Sequence, residues 1–219
     1  SIIDQYEAGI KNEFLKGTLS TNLTFYHIVN SNLAQTAEFD ADGNVNTNTN
    51  IKELSGETTS KGLEIDISYR PVNGFTMNAG YSYNDMRYTK TTGVKGSYIE
   101  GDRLTRTPQN TANLSFFYTL QSGMFKNVSF GALGNYIGDR VGGWNNQIDP
   151  TKPNGIYDRE VPLDSYTTID ISAGYEWKKF SILCKLSNIT NELNYTVHEN
   201  YSVNPIAPRQ ILTSLRYKF

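Results

Sequence analysis

Alternation of apolar and polar residues is the dominant pattern of this chain. In the segment 61–70, Leu63, Ile65, Ile67 and Tyr69 are separated by polar residues or glycine, and residues 211–219 repeat the pattern. Successive side chains of a β-strand point to opposite faces of the sheet. The pattern therefore predicts strands with one apolar and one polar face.

Nine such strands follow one another along the sequence. They are predicted at approximately residues 5–14, 18–30, 58–70, 75–84, 112–118, 128–136, 163–176, 180–189 and 208–219. The links between them alternate between short and long. The short ones are 15–17, 71–74, 120–126 and 177–179, and the long ones are 31–56, 85–108, 137–162 and 190–207.

This rhythm is typical of a bacterial outer-membrane β-barrel, which has short periplasmic turns and long extracellular loops. Aromatic residues cluster beside the short links, where a girdle at the membrane boundary is expected. They are Phe14, Tyr69, Phe75, Tyr118, Phe125, Tyr175, Trp177, Phe180, Tyr217 and Phe219. A soluble β-sandwich is the alternative, but it predicts mostly short links and a large apolar core. We therefore predict an all-β, transmembrane antiparallel barrel in the outer membrane of a Gram-negative bacterium.

Composition agrees with this prediction. The 219 residues are 37% hydrophobic with a mean hydropathy of -0.50. The sequence contains no run of about 18 apolar residues, so it predicts no transmembrane helix. A barrel strand needs only about 9–11 residues. The net charge of -2 and the lack of a basic stripe argue against nucleic-acid binding. The single Cys184 excludes an internal disulfide and follows the apolar register of Phe180 and Ile182.

The strand count points to a portion of a larger barrel. Bacterial single-chain barrels have even numbers of strands. An unpaired strand edge in lipid leaves backbone groups unsatisfied at several kcal/mol each. We therefore expect residues 1–219 to be the C-terminal part of a barrel, with the remaining strands before Ser1 or on another chain.

Several segments resemble the C-terminal barrel region of TonB-dependent outer-membrane receptors of the siderophore type. In chain order they are Tyr6-Glu7-Ala8-Gly9-Ile10-Lys11, Lys61-Gly62-Leu63-Glu64-Ile65-Asp66, Pro71-Val72-Asn73-Gly74-Phe75 with Tyr81-Ser82-Tyr83, Arg106-Thr107-Pro108-Gln109-Asn110, Leu186-Ser187-Asn188-Ile189-Thr190-Asn191 with Tyr195, and Pro208-Arg209 before the last strand. Each segment is weakly specific alone, but six in family order are a strong indication.

The resemblance implies a 22-stranded barrel closed by an N-terminal plug, of which this chain supplies about the last nine strands. It also implies uptake of a ferric siderophore or similar nutrient, energised by the TonB complex through an N-terminal region that this sequence lacks. Two alternatives stay open: a glycan-uptake receptor of the same architecture with a surface lipoprotein as lid, and a passive pore or adhesin. Outer-membrane lipid and lipopolysaccharide are expected neighbours.

Two groups of residues are candidates for function. Arginine and aromatic side chains in the long links suit anionic ferric chelates with flat groups; they are Tyr98, Arg103, Arg106, Arg140, Trp144, Tyr157 and Arg159. A polar row is predicted to face the lumen or plug, and it comprises Glu64, Asp66, Arg70, Asp170, Glu176, Arg216 and Lys218.

Catalysis and metal binding have little support in the sequence. His27 and His198 lie outside any metal-ligand spacing, and no nucleophile–base motif favours a barrel phospholipase or protease. The run Asp40-Ala41-Asp42-Gly43 resembles the start of a calcium loop but lacks the remaining ligands, so a hairpin tip explains it better. We expect no enzyme activity, no cofactor and no resident metal.

Overall fold

The computed structural model describes residues 1–93, 99–144, 160–198 and 202–219. Apart from one 3-10 turn at Leu15–Gly17, its regular elements are β-strands. The strands are β1 Ile2–Phe14, β2 Leu19–Thr36, β3 Lys52–Tyr69, β4 Phe75–Lys90, β5 Asn110–Thr119, β6 Val128–Ile137, β7 Arg140–Trp144, β8 Glu160–Leu163, β9 Tyr166–Trp177, β10 Phe180–Ser187, β11 Tyr195–His198, β12 Ser202–Pro205 and β13 Gln210–Tyr217.

Nine of these described strands form one antiparallel sheet in the order β1-β2-β3-β4-β5-β6-β9-β10-β13. Each strand pairs with its neighbour in the predicted series, so the nine predicted strands are confirmed. The remaining four strands form two small hairpins, β7 with β8 and β11 with β12, inside two of the predicted long links. Leu163, which we predicted to begin the seventh long strand, lies instead in β8 opposite Arg140.

In the spanning part of the sheet, the strand register keeps the alternating apolar side chains of all nine strands on one face. Directly opposed residues of neighbouring strands lie on the same face. One row runs through Ile10, Leu23, Ile65, Tyr81, Ala112 and Tyr136, and another through Phe75, Tyr118, Phe130, Ala173, Cys184 and Thr213. A one-residue slip at any strand would reverse its faces, so the alternation read from the sequence fixes this register.

The apolar face is not packed against a second layer. Among the described residues, the buried hydrophobic side chains are Ala37 and Val141, both outside the nine-stranded sheet. Large apolar residues within the sheet are exposed, including Ile10, Phe130 and Leu215. A β-sandwich would bury these rows between two sheets, so the arrangement agrees with a face that contacts lipid. No helix in the described part of the chain has the length and apolarity needed to span a membrane.

Three strands extend about six residues beyond the ends that the sequence predicted. β2 and β3 have 18 residues each and β4 has 16, whereas about 9–11 residues cross a membrane. The surplus lies at the end of the sheet opposite the short turns, where residues 31–36, 52–57 and 85–90 were predicted as loop. The hairpins of β2, β3 and β4 therefore extend the sheet beyond its apolar band.

Candidate functional site

Polar side chains hold the extended ends of β2, β3 and β4 together. Gln35 is buried; its Nε2 donates to the Lys90 carbonyl at 3.3 Å and its Oε1 accepts from the Thr92 amide at 3.2 Å. Lys90 also forms an ion pair with Glu57. Hydrogen bonding from the Lys90 ammonium lowers the pKa of Glu57 below its usual value. Above the membrane band, the sheet is thus ordered by polar contacts rather than apolar burial.

Arg103 and Asp139 connect two of the long links. The Arg103 guanidinium donates to Asp139 Oδ2 at 2.8 Å and to the Asp139 carbonyl oxygen at 3.1 Å. Arg103 is largely covered, while 63% of the Asp139 side chain is exposed. The hydrogen bond from Arg103 lowers the pKa of Asp139. Arg103 therefore has an acidic partner within the protein, and ligand contact by Arg103 stays a prediction.

The Arg103–Asp139 contact gives a prediction of acid sensitivity. Because the pKa of Asp139 is lowered in the folded state, the contact contributes fully to stability above the ordinary aspartate pKa of about 3.9. This contribution is lost as the pH falls through the lower folded-state pKa. We expect Asp139→Asn to lower the thermal midpoint slightly at neutral pH and to reduce the drop in midpoint on acidification. Glu38→Gln, at an exposed residue without an ion pair in the described ranges, is the control. Equal acid-induced drops in wild type and Asp139→Asn would contradict the assignment.

Arg140 is buried, although the sequence predicted it at an open rim. Its side chain donates to the Gly138 carbonyl at 2.9 Å, to Asn194 Oδ1 at 2.9 Å and to the Tyr195 carbonyl at 3.1 Å. The guanidinium carbon also lies 5.2 Å from the centre of the Tyr166 ring. These contacts join the segment after β6 to the starts of β9 and β11. The placement favours an anchoring role, and ligand contact by Arg140 stays a prediction.

Arg106 differs from the other two arginines. Its backbone has φ of +66°, and its amide donates to the Val141 carbonyl at 2.7 Å. The residue is exposed, and no acidic partner for its guanidinium occurs in the described ranges. The backbone is thus fixed while the charged group stays accessible. Of the predicted ligand residues that are described, Arg106 best fits a binding role.

The side chains of the other predicted ligand residues lie outside the described part of the structure. Tyr98, Tyr157 and Arg159 lie outside the described residues, and Trp144 is described only as the last position of β7. The structure therefore brings Arg103, Arg106 and Arg140 to the same end of the sheet, and leaves the aromatic part of the candidate site as a prediction.

The predicted lumen row follows the polar face of the sheet. Glu64 and Asp66 line a polar recess of about 200 Å³ with Ser82, Thr111 and Asn113. Asp170 on β9 pairs with Lys185 at 2.7 Å, and Glu176 and Arg216 both share a row with Ser181. Arg70 and Lys218 lie just beyond the ends of β3 and β13. All strand positions of this row are on the face opposite the apolar rows, and their contact with a lumen or a plug is still a prediction.

A tyrosine on this face was missed by the sequence analysis. Tyr26 on β2 lies across Gly62 on β3, and its hydroxyl is 3.4 Å from the Tyr83 carbonyl oxygen of β4. The alternation of β2 places Tyr26 on the polar face together with Glu64. The sequence signal was the glycine at the paired position, because an aromatic ring often covers a strand glycine.

The Asp40 loop is a hairpin tip, as expected. Asp40 Oδ1 accepts from the backbone amides of Asp42 and Asn44, both at 2.9 Å, and Gly43 has φ of +81°. The carboxylate thus stabilises its own turn. In the described part of the chain, no three acidic, histidine or cysteine side chains are grouped as metal ligands.

Comparison with known proteins decides the family. The sequence model described as "TonB dependent receptor-like, beta-barrel" matches residues 2–191. The chain belongs to the TonB-dependent receptor β-barrel family. It is therefore part of an outer-membrane barrel, and the predicted family, fold class and location are confirmed.

Individual relatives agree with this assignment. The metal-pseudopaline receptor CntO of Pseudomonas aeruginosa is 26% identical over 216 residues, covering 98% of this chain and 27% of that protein. The ferrioxamine B receptor of Salmonella typhimurium is 25% identical over 193 residues, covering 87% of this chain and 23% of that receptor. A structure of P. aeruginosa FpvA bound to heterologous pyoverdines has a TM-score of 0.75 at 25% identity, over 99% of this chain and 27% of that one. The receptor chain thus spans about a quarter of the length of these relatives.

Proposed function

We propose that the protein carrying this receptor chain takes up a metal chelate of the siderophore type across the outer membrane, with energy supplied through TonB. The observation that carries the proposal is the nature of the relatives, which are receptors for metal-pseudopaline, ferrioxamine B and pyoverdines. Coupling to TonB would use parts of the receptor other than these strands. The protein would act as a transporter and not as an enzyme, surrounded by outer-membrane lipid and lipopolysaccharide.

The geometry supports a role of this chain in capturing an anionic ligand. The exposed Arg106 guanidinium offers charge-assisted hydrogen bonds to carboxylate or catecholate oxygens. The backbone contact between Arg106 and Val141 and the neighbouring anchor at Arg140 hold that position in place. Tyr26 and the polar recess at Glu64 and Asp66 lie further along the polar face. A chelate bound at the mouth would then meet a hydrated wall rather than an apolar one.

Uptake by a deletion strain tests the proposal. We expect deletion of the gene to abolish accumulation of radioactive iron from at least one ferric chelate, with ferric pyoverdine and ferrioxamine B as the first probes, and to slow growth under iron limitation. A protonophore should abolish the same uptake in the wild type. Normal growth under iron limitation together with a defect on a glycan would favour the glycan-uptake alternative. Uptake that resists the protonophore would favour a passive pore.

Replacement of Arg106 tests the candidate site. Loss of one charge-assisted hydrogen bond costs about 1.5–3 kcal/mol, so we expect Arg106→Ala to weaken binding of the transported chelate by about 10- to 100-fold. Binding to the intact receptor is measured by equilibrium titration with the ferric chelate identified in the uptake assay. Lys126→Ala, which removes an exposed cation in a short turn at the other end of the sheet, is the control. Equal affinity of both variants and wild type would remove Arg106 from the site.

A further inference from the structure

The apolar face contains a notch at its periplasmic edge. Outward-facing side chains of β9, β10 and β13 surround a volume of about 310 Å³, and they include Tyr175, Trp177, Phe180, Ile182, Leu215 and Tyr217. The Phe180 and Tyr217 rings have centroids 4.8 Å apart, and Trp177 stacks on Phe180 at 6.5 Å. Each of these three rings is 44–56% exposed. The notch is therefore ordered by ring contacts yet open toward the membrane.

Two lysines border the notch in the turn between β9 and β10. Lys178 Nζ lies 5.1 Å from the centre of the Trp177 ring, and Lys179 Nζ lies 5.9 Å from the centre of the Tyr217 ring. Both ammonium groups thus approach rings of the lipid-facing side. Within the described ranges, neither lysine has a carboxylate within ion-pair distance. Two positive charges therefore stand uncompensated at the depth where an aromatic girdle meets lipid headgroups.

We propose that this edge is a binding site for an anionic phospholipid. An acyl chain fits the apolar notch over the opposed pair Ile182 and Leu215, and the headgroup phosphate meets Lys178 and Lys179. A zwitterionic lipid would fill the same notch but would gain less from the two charges. The ring contacts hold both lysines near the notch, which distinguishes them from lysines on other short turns. The site lies at the opposite end of the sheet from Arg106 and is independent of chelate uptake.

Native mass spectrometry of the intact receptor in detergent tests the site. The probes are phosphatidylglycerol and phosphatidylethanolamine with identical acyl chains, supplied in equal amounts. Two lysines near an anionic headgroup give about a 30-fold preference, so we expect the wild type to retain phosphatidylglycerol selectively and Lys178→Gln/Lys179→Gln to lose most of that selectivity. Lys16→Gln/Lys126→Gln removes the same charge from short turns at the same edge and should keep the preference. Heat-dependent migration in gels confirms that each variant is folded.

Three results would overturn the proposal. They are equal retention of the two lipids by wild type, an equal loss of selectivity in the control double variant, and displacement of the lipid by millimolar glycerol phosphate, which would indicate a bare anion site. If the double variant does not fold, each single substitution should still lower the preference about fivefold. Unchanged selectivity in both single variants would likewise reject the site.

Discussion

Gly62→Ala is expected to destabilise the folded barrel strongly. An added Cβ would lie 2.0 Å from the Tyr83 carbonyl oxygen and 2.6 Å from the Tyr26 hydroxyl. Gly62 is in the middle of β3, paired with Tyr26 on β2 and with Asn84 on β4. Relief requires displacement of a paired backbone on one side and a tyrosine on the other. Overpacking costs about 1–3 kcal/mol and occasionally more, and the contact with a paired backbone places Gly62→Ala at the upper end of that range.

Gly134, in the same sheet, provides a matched control for Gly62→Ala. Gly134, within β6 and paired on both sides, has open space where its Cβ would lie. We expect Gly134→Ala to change stability by no more than about 0.5 kcal/mol. Both variants are measured by the folded fraction after insertion into membranes, from heat-dependent gel migration, and by urea unfolding. Removal of the ring in Tyr26→Ala/Gly62→Ala should give only partial recovery, because the Tyr83 carbonyl oxygen still blocks the Cβ. Wild-type stability of Gly62→Ala would show that the strands separate freely here.

The nine membrane strands could be predicted because the membrane imposes a simple rule on them. In β3, Leu63, Ile65 and Ile67 must face hydrocarbon, so the chain alternates strictly along that part. Beyond the membrane, residues 52–57 of the same strand are mostly polar on both faces and follow no such rule. They are nevertheless ordered by polar contacts with β4, in which Glu57 accepts from the Thr89 hydroxyl at 2.9 Å and pairs with Lys90. Alternation therefore identified the spanning part of the strand and missed its extension.

The candidate site was predicted by residue type but not by environment. Arg103, Arg106 and Arg140 have the same chemistry in the sequence, yet one is paired, one is exposed and one is buried. The difference comes from distant partners: Asp139 lies 36 residues from Arg103, and Asn194 lies 54 residues from Arg140. Neither contact follows the alternation of a strand, because each one joins two loops that connect different strands. Position along the chain thus predicted that these arginines lie at the same end of the sheet. Only the tertiary contacts distinguish the partnered Arg103 and Arg140 from the exposed Arg106.

Asn188→Ala is expected to have the other large effect on stability. Asn188 is 4% exposed and lies immediately after β10. Its Nδ2 donates to the Glu192 and Ala207 carbonyls, both at 3.0 Å, while its Oδ1 accepts from the Glu192 amide at 2.8 Å. The side chain therefore joins the end of β10 to the approach to β13.

Alanine at this position would leave those backbone groups without their partners. A buried group left unsatisfied costs about 1–3 kcal/mol. The left-handed conformation of Asn188, with φ of +50°, adds about 1–2 kcal/mol for a residue other than glycine or asparagine. We expect a total loss of about 3 kcal/mol or more, seen as a lower urea midpoint for the intact receptor.

Two further variants separate the contributions to the Asn188 effect. Asn188→Gly removes the same hydrogen bonds but tolerates the backbone, so it should be about 1 kcal/mol more stable than Asn188→Ala. Asn127→Ala, at an exposed turn residue with φ of +70° and no side-chain hydrogen bond in the described part of the chain, measures the backbone cost alone. If Asn188→Ala loses no more free energy of unfolding than Asn127→Ala, the Asn188 side-chain hydrogen bonds do not hold the last strand. A larger loss in both Asn188 variants attributes the attachment of β13 to this one amide.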